Sequence, residues 1–434
     1  MVKRVWSTDL GRLQGETARV CGWLHRKREL KNLVFLTLRD ARGLAQAVIE
    51  DQALMEFAKK LRTESVVAVE GRVFGSAEAA GGVEFRNPSI EVIAEAEGPA
   101  PLDISKKEIG AHQSTILDHA ALALRHPSER AKFGLSAITM ASFRRFLAGE
   151  GFTEIQTPKI VGSATESGAT VFKLDYFGRP AYLAQSPQLY KQTMVGVFER
   201  VFEVGPVFRA EPHATVRHLN EYVSMDAEMG FIGDHRDIMA LLSELVRTML
   251  RDLASEGRSE LALLGARLPE APEVFPIVRF KDAQEMIYRA TGEDCRGEND
   301  LAPGHEKWLG EWAAKEYLSD FLFVEGYPMS KRPFYTQPCP DDPEYSNSFD
   351  LLFRGLELVT GGQRLHRYAD YLAAMSKKGI DPAIFGGYLE AFRYGMPPHG
   401  GFAIGLERWL ARLLELENVR ETTLFPRDIH RLSP

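Results

Sequence analysis

The sequence predicts an α+β protein in which a small all-β unit precedes a larger unit of helices and strands. Two observations predict this class. Residues 17–95 alternate apolar and polar side chains with a period of two, which is typical of strands. Residues 133–152 show helical spacing instead, and later strand-like runs alternate with further helices in a way typical of an antiparallel sheet flanked by helices.

A stretch with two prolines, AEAEGPAPLDISKK at residues 94–107, separates the two patterns. The chain has 434 residues, which is enough for two domains. We therefore expect a first domain at residues 1–100, a linker or hinge at residues 101–130 and a second domain at residues 131–434.

Composition excludes several classes of protein. Hydrophobic residues make up 44% and charged residues 26%, as in soluble globular proteins. No apolar run approaches the ~20 residues that cross a bilayer, and the first residues lack the apolar core of a secretion signal. We therefore expect a cytoplasmic protein without membrane contact. Cys21, Cys295 and Cys339 are too few and too scattered for a disulfide framework or a zinc site.

Five strand-like runs build the first domain: residues 17–25, 33–40, 44–50, 65–74 and 82–93. With one helix between the third and fourth runs, they predict a small closed barrel of the OB type. Such barrels bind single-stranded nucleic acid through stacked aromatic side chains and a basic groove. Phe35 and Gln46 lie in mid-strand, and the basic stretch HRKRELK is expected in the first turn. The alternatives are a core position for Phe35 and a solvated loop for the basic stretch.

A pair of arginines in the second domain indicates an anion site. In RVFEVGPVFRAEPHATVRHLNEY, Arg209 and Glu211 share a face if the strand VGPVFRAE continues through them. Arg217 can then return along the opposite strand of a hairpin. Arginine suits phosphate because its planar fork donates two parallel charged hydrogen bonds. The alternative is an ordinary surface hairpin with ion pairs.

Two further segments carry compatible chemistry. Asp350 and Glu357 are oxygen ligands of the kind that hold Mg²⁺ together with substrate phosphates, provided that a turn near Arg354 and Gly355 brings them to one face. The run HGGFAIGLERWLARLLEL predicts a glycine-rich strand that leads into a helix, with Arg408 in its first turn.

Together these segments resemble the catalytic domain of class II aminoacyl-tRNA synthetases. FRAE with a following arginine is similar to their second signature motif, GFAIGLER to the third, and GFTEIQTPKIV with Pro158 to the first, which builds a homodimer interface in that family. The resemblance is closest to aspartyl-tRNA synthetases of the archaeal type. QSPQLYKQ, GGQRLHRY and YGMPPHGGFAIGLER carry it, and it extends from the barrel to the terminal LFPRDIHRLSP.

The resemblance implies an aspartyl-adenylate mechanism that uses ATP and Mg²⁺, with Arg209 and Arg408 as catalytic residues. Residues implied to bind aspartate are Glu166, Gln188, Lys191, Arg209, Thr360 and Arg364. Residues implied to bind ATP are Arg209, Ala210, Glu211, Arg217, His218, Leu219, Glu357, Gly405, Leu406, Glu407 and Arg408. Metal ligands are implied at Asp350, Glu357 and Thr360.

The barrel is implied to bind the tRNA anticodon, with contacts at His25, Arg26, Phe35, Gln46 and Ala80. Relatives that discriminate between tRNA(Asp) and tRNA(Asn) carry Trp at the position of His25 and Lys at that of Ala80. We therefore expect charging of both tRNAs, which implies an amidotransferase that converts aspartyl-tRNA(Asn). The alternatives are a discriminating aspartyl enzyme, an asparaginyl enzyme, an inactive RNA-binding paralogue and a ligase that amidates free aspartate.

Overall fold

The computed structural model describes residues 2–162, 171–212 and 215–433, and for Ala80 it describes the backbone alone. The chain divides into two compact units, Met1–Glu129 and Arg130–Pro434. No helix among the described residues is long and apolar enough to traverse a bilayer. Cys21, Cys295 and Cys339 form no disulfide.

The first unit is a barrel of six strands in the order β1-β2-β3-β5-β4-β6, which pairing of β1 with β4 closes. Its elements are β1 Thr17–Glu29, β2 Val34–Arg39, β3 Leu44–Ile49, α1 Gln52–Lys60, β4 Val66–Gly75, β5 Val83–Arg86 and β6 Ser89–Ala94, followed by α2 Gln113–Asp118 and α3 Ala120–Ala123. Asp51 caps α1 by accepting the Leu54 N–H. Apolar side chains of all six strands meet inside the barrel, as the period-two pattern predicts.

Three details differ from the sequence expectation. The last predicted run splits into β5 and β6 because Asn87 adopts a left-handed conformation before Pro88, which cannot donate to a ladder. The basic stretch lies mostly on β1, which continues to Glu29, and not in a turn. Phe35 is half-buried between the fully buried Val34 and Leu36, so it faces away from the barrel core and the core interpretation is wrong.

The second unit is built on an eight-stranded sheet in the order β13-β14-β15-β16-β17-β12-β11-β7. Its strands are β7 Thr153–Glu154, β11 Arg200–Phe208, β12 Glu221–Gly230, β13 Ile277–Arg279, β14 Phe321–Glu325, β15 Ser348–Phe353, β16 Glu357–Arg364 and β17 His399–Gly405. All neighbours pair antiparallel except β13 with β14 and β11 with β7. A second sheet joins β8 Ile160–Val161, β9 Lys173–Tyr176 and β10 Arg179–Leu183.

Helices flank this sheet. They are α4 Pro127–Gly149, α5 Gln188–Phe198, α6 His235–Glu256, α7 Arg258–Leu264, α8 Phe280–Thr291, α9 Pro303–Tyr317, α10 Tyr368–Lys377, α11 Gly386–Arg393 and α12 Leu406–Leu413. One face of the sheet packs on α4, α6 and α12 around Phe143, Leu245 and Trp409, all fully buried. The α+β architecture predicted from the sequence is confirmed.

Two local sequence predictions concern strand ends of the second unit. Arg354 and Gly355 form the tight turn between β15 and β16, with φ values of 46° and 69°. This turn places Asp350 opposite Thr360 in the antiparallel register, as required. By contrast, β11 ends at Phe208, so Arg209 and Glu211 lie beyond the strand and strand alternation does not set their direction.

Glu407 in the first turn of α12 connects this helix to the sheet. Its carboxyl group is 5% exposed and accepts the Val223 N–H of β12 through both oxygens, at 3.1 Å each. Burial raises the pKa of Glu407 to about 7. The folded protein therefore binds a proton here over a pH range in which the unfolded chain has released it.

This pKa predicts a pH-dependent stability term. A raised pKa contributes stability that is full below about pH 4.5 and is lost as pH rises through about 7, by up to ~3 kcal/mol. Glu407→Gln keeps a hydrogen-bond acceptor for the Val223 N–H, but its side chain does not titrate and makes no pH-dependent contribution to the free energy of unfolding. We expect thermal unfolding to show Glu407→Gln gaining stability relative to wild type between pH 5 and pH 8. Exposed Glu417→Gln is the control, and an equal pH response in both variants would contradict the prediction.

Candidate active site

Two cavities meet on the face of the large sheet that lies opposite α6. The larger measures about 390 Å³ and includes Gln188, Asp350 and Arg364 in its lining. The smaller measures about 160 Å³ and includes Arg217 and Arg408. Both are lined by Arg209, Tyr222, Ser224, Glu357, Thr360 and Ala403. Two molecules bound in the two cavities would therefore contact the same side chains, Arg209 and Thr360 among them.

Four buried charges lie beneath the larger cavity. Lys191 on α5 donates to Asp226 Oδ1 at 3.0 Å and to the Phe402 carbonyl at 3.0 Å, and its Nζ lies 3.3 Å from Glu228 Oε2. The Lys191 side chain is 1% exposed and is absent from the residues that line the cavity. The structure thus places Lys191 behind the cavity wall, as the counter-ion of two strand carboxylates.

Arg364 at the end of β16 completes this network. Its Nε donates to Glu228 Oε1 at 2.9 Å, and Nη2 donates to the Gly401 carbonyl at 3.0 Å and to Gln188 Oε1 at 3.5 Å. Burial raises the pKa of Glu228, but the charges of Arg364 and Lys191 outweigh it and hold this pKa below its usual value. Two cations and two carboxylates therefore balance one another in this buried network.

Two donors of this region remain unused. Arg364 Nη1 makes no hydrogen bond to any described residue. Gln188 Nε2 is buried and also has no hydrogen-bond partner among the described residues. Both side chains line the larger cavity. Gln188 Nε2 is a buried donor without a partner, which is costly, and Arg364 Nη1 belongs to the neighbouring side chain, so the two atoms fit a ligand that offers acceptors.

The glycines of β17 make room for this network. A Cβ on Gly401 would lie 2.2 Å from Glu228 Oε2 and 2.1 Å from the Ala227 carbonyl oxygen. Gly401 therefore admits the backbone and the buried Glu228 carboxylate of the adjacent strand, both of which a side chain here would displace.

A second polar group lies next to Arg364. Gln192 on α5 donates from Nε2 to Tyr371 Oη at 3.3 Å and lies 3.2 Å from His399 Nε2, while Tyr388 donates to Gln192 Oε1 at 3.0 Å. The Pro397 carbonyl lies 2.9 Å from His399 Nδ1, so Nδ1 carries the proton and Nε2 accepts from Gln192. Burial lowers the pKa of His399 to about 4, which keeps the ring neutral.

Asp350, Glu357 and Thr360 lie together, as predicted. Thr360 Oγ1 donates to Glu357 Oε1 at 3.2 Å and Thr360 pairs with Asp350 across the ladder. Burial raises the pKa of Asp350 to about 6, with Arg332 opposing and Glu357 reinforcing the rise. No group of three or more His, Cys, Asp or Glu residues suited to a metal exists among the described residues. Two carboxylates beside a cavity still fit Mg²⁺, because it is commonly held by one or two carboxylates plus substrate phosphates.

Basic side chains surround the smaller cavity. Arg408 donates from Nη1 to the Glu357 carbonyl at 3.0 Å, which fixes its stem near the carboxylate pair. The Arg209 guanidinium lies 3.9 Å from Glu211, and His218 lies 3.4 Å from the same carboxylate. Despite the strand ending earlier than expected, the loop still brings Arg209 and Arg217 to one cavity.

The remaining predicted nucleotide contacts differ in accessibility. Leu219 lines the smaller cavity, as do Gly405 and Glu407. Ala210 is half-buried between Arg209 and Glu211. Leu406 is 3% exposed and packs in the hydrophobic core, so its side chain is unavailable to a nucleotide. Glu166, the predicted partner of a substrate ammonium group, lies outside the described residues.

Sequence reasoning missed several charged groups of the site. Asp226 and Glu228 are two apart in a strand of apolar residues, so a same-face acidic pair was a usable signal. Arg332 and Glu306 left no such signal. Glu306 accepts the Glu357 N–H at 2.9 Å, and burial raises its pKa to about 7.

The barrel brings most of its predicted contacts to one outer surface. On the ladder of β1, β2 and β3, Arg26 pairs with Thr37 and Thr37 with Gln46, while the half-buried Phe35 lies next along β2. Gln46 donates to Glu84 at 3.1 Å. Arg26 is exposed.

His25 and Ala80 are placed differently. His25 is 6% exposed at a bulge in β1, and its Nδ1 lies 2.7 Å from Arg39 Nη1. Burial lowers the pKa of His25 to about 4, so the ring is neutral at physiological pH. Any effect of His25 on RNA therefore passes through its neighbours. Ala80 begins a short 3₁₀ helix between β4 and β5.

Known proteins resemble this chain over nearly its whole length. Residues 112–429 match the family of tRNA synthetases class II (D, K and N), and residues 18–93 match the OB-fold nucleic acid binding domain. A protein of Thermus thermophilus named aspartate--tRNA(Asp/Asn) ligase is 46% identical over 99% of this chain and 100% of its own. One of the same name from Archaeoglobus fulgidus is 44% identical over 99% and 100%. The aspartate--tRNA(Asp) ligase of Pyrococcus horikoshii is 40% identical over 97% of each chain.

Solved structures share the fold. Asparaginyl-tRNA synthetase from Pyrococcus horikoshii, complexed with asparaginyl-adenylate, superposes with a TM-score of 0.93 at 33% identity over all of both chains. A putative aspartyl-tRNA synthetase from Leishmania major gives 0.90 at 30% identity, covering 100% of this chain and 95% of the other. With its sheet, its paired cavities and its two family matches, the chain belongs to the class II tRNA synthetases of the D, K and N group.

Proposed function

We propose that this protein attaches L-aspartate to tRNA(Asp), and also to tRNA(Asn), with ATP and through an aspartyl-adenylate. The names of the relatives support the reaction, and the paired cavities support its two-substrate first step. A catalytically inactive RNA-binding paralogue is the less favoured alternative, because such a protein has no need for Arg209, Glu357, Arg364 and Arg408 around one site.

The single observation that favours aspartate is the pair of unused donors, Arg364 Nη1 and Gln188 Nε2. A carboxylate is acceptor-only and satisfies both donors with charge-assisted bonds. The amide of asparagine would direct an NH₂ group at one of them and leave a buried donor unpaired. We assign Arg364 and Gln188 to the aspartate side chain, with Lys191 supporting them from behind through Asp226 and Glu228.

The proposed mechanism relies on positioning and charge. The aspartate α-carboxylate attacks the α-phosphorus of ATP in line, and pyrophosphate leaves. We assign the α-phosphate to Arg209, which lines both cavities, and the distal phosphates to Arg217 and Arg408, which line the smaller one. Glu166 is assigned to the substrate ammonium group. The terminal ribose hydroxyl of the tRNA then attacks the carbonyl carbon of the adenylate, the mixed anhydride bond breaks and AMP leaves, so the protein supplies no nucleophile.

Asp350, Glu357 and Thr360 are proposed to hold Mg²⁺ with the ATP phosphates, because all three line the larger cavity and Thr360 contacts both carboxylate residues through the ladder and a hydrogen bond. When bound, the ion neutralises phosphate charge as pyrophosphate departs. Arg408, bonded to the Glu357 carbonyl, orients the same strand end.

The barrel is proposed to bind the anticodon on the surface of Arg26, Phe35 and Gln46. Phe35 offers a ring for stacking and Gln46 a hydrogen-bonding amide. The absence of Trp at position 25 and of Lys at position 80 supports the relaxed tRNA choice. A tRNA-dependent amidotransferase, a homodimeric state and a cytoplasmic location complete the proposal by analogy with the family.

The tRNA choice is directly measurable. Aspartylation kinetics with tRNA(Asp) and tRNA(Asn) transcripts are expected to give kcat/KM values within about tenfold of each other, a difference of about 1.4 kcal/mol. A preference for tRNA(Asp) of several hundredfold would establish the discriminating alternative.

Loss of Arg364 should weaken aspartate binding and so slow aspartate activation. We expect Arg364→Gln to lower kcat/KM for aspartate in ATP–pyrophosphate exchange by about 100-fold or more, since truncating a buried charged pair costs ~2–5 kcal/mol. Arg364→Gln/Glu228→Gln removes the orphaned carboxylate and serves as the control for folding. A double variant that folds and keeps the wild-type KM for aspartate would contradict the assignment.

Phe35→Ala should weaken tRNA charging alone. Loss of one stacked base costs ~1–3 kcal/mol, so kcat/KM for tRNA is expected to fall by about 10- to 100-fold. Aspartate-dependent ATP–pyrophosphate exchange should stay unchanged. Ile93→Ala, which truncates another exposed apolar side chain of the barrel, is the matched control and should leave charging intact.

A further inference from the structure

Arg332, which no sequence pattern singled out, is fixed at the wall of the larger cavity. Its Nε donates to Ser348 Oγ at 2.9 Å and its Nη2 to Asp350 Oδ1 at 3.0 Å. The guanidinium carbon lies 4.2 Å from the ring centre of Tyr327. The side chain is 9% exposed, so these partners hold the guanidinium in one orientation.

The partners of Arg332 are themselves anchored. Ser348 and Ser346 share a hydrogen bond of 2.7 Å, and Ser346 donates to the Tyr327 carbonyl at 2.8 Å. Tyr327 is 2% exposed. Arg332 therefore cannot swing away from Asp350 without breaking a packed polar cluster, so Asp350 Oδ1 stays engaged.

This contact changes what the carboxylate pair can bind. Asp350 and Glu357 carry one negative charge each. With the positive charge of Arg332 included, the net charge of these three side chains is one negative charge. One oxygen of Asp350 already accepts a charged hydrogen bond, which leaves fewer oxygens for a cation. Mg²⁺ demands near-octahedral oxygen ligation and is reluctant to lose water, so such a depleted pair is a poor site for the bare ion.

We propose that Arg332 is a positioning residue that orients Asp350 and makes divalent-cation binding here depend on nucleotide phosphates. The proposal rests on the proposed function, which places the cation between these carboxylates and ATP. The phosphates supply the negative charge and the oxygen ligands that Arg332 withholds. The cation therefore enters with ATP, and it meets Glu357 and the second oxygen of Asp350, because Arg332 keeps Asp350 Oδ1 engaged.

The test is a titration with Mn²⁺, monitored through the electron paramagnetic resonance signal of free Mn²⁺, without amino acid or tRNA. Wild type should bind Mn²⁺ weakly at this site alone and, once the Mn²⁺ that ATP chelates in protein-free solution is subtracted, at least tenfold more tightly with ATP present. Arg332→Gln removes the charge and frees Asp350, so its nucleotide-free Mn²⁺ affinity should rise at least tenfold. The double variant Arg332→Gln/Asp350→Asn should lose that gain, which would show that the additional Mn²⁺ binding occurs at Asp350.

Arg332→Lys separates charge from orientation. It keeps the cation but cannot reach Ser348 and Asp350 together, so nucleotide-free Mn²⁺ affinity should stay weak while KM for ATP rises about tenfold. This variant also tests the proposal if Arg332→Gln does not fold: a wild-type KM for ATP would then overturn it.

Equal nucleotide-free Mn²⁺ affinity in wild type and Arg332→Gln overturns the inference even where aspartate is activated normally. Conversely, tighter Mn²⁺ binding by Arg332→Gln supports it even where the amino acid activated is not aspartate. The proposed role of Arg332 and the proposed activation of aspartate can therefore be refuted independently of each other.

Discussion

The second unit depends on compensation among four buried charges, Lys191, Asp226, Glu228 and Arg364. They come from one helix and two strands, and the Glu228 side chain is fully buried. Removing one member of such a network leaves an uncompensated charge, at a cost of ~3–5 kcal/mol. The same contacts dictate Gly401, since a side chain there would collide with Glu228. Folding and the substrate cavity therefore share one electrostatic constraint.

This constraint also prepares the cavity for its ligand. Because Glu228 holds Arg364 through Nε, the guanidinium orientation is set before any substrate arrives. The neutral ring of His399 and the amide of Gln192 pack beside it with their own hydrogen bonds satisfied, so they do not compete for that guanidinium. A preorganised donor loses little conformational entropy on binding, which makes its charge more effective in selecting the ligand.

The sequence predicted what periodicity and local turn chemistry determine. The strands of the barrel, the Arg354–Gly355 turn and the step from β17 into α12 all follow from patterns within about twenty residues. Contacts between distant segments could not be predicted: Lys191 meets Phe402, 211 positions away, and Arg364 meets Glu228, 136 positions away. Arg332 is closer to Asp350 in sequence, but it comes from an irregular segment without a periodic pattern. His25 shows the opposite failure, since a bulge in β1 buries a side chain that a regular strand and its basic neighbours suggested was accessible.

Fold similarity alone cannot choose the amino acid, because an asparaginyl-tRNA synthetase superposes on this chain over its whole length. Aspartate and asparagine differ by one terminal group, oxygen against NH₂, so the choice falls to the few atoms that meet that group. Under the proposed assignment those atoms are the donors Arg364 Nη1 and Gln188 Nε2, and such a pair disfavours an amide because one N–H would face another. The proposed choice of aspartate therefore follows from the hydrogen-bond donors of this cavity and not from the fold, which the asparaginyl-tRNA synthetase shares.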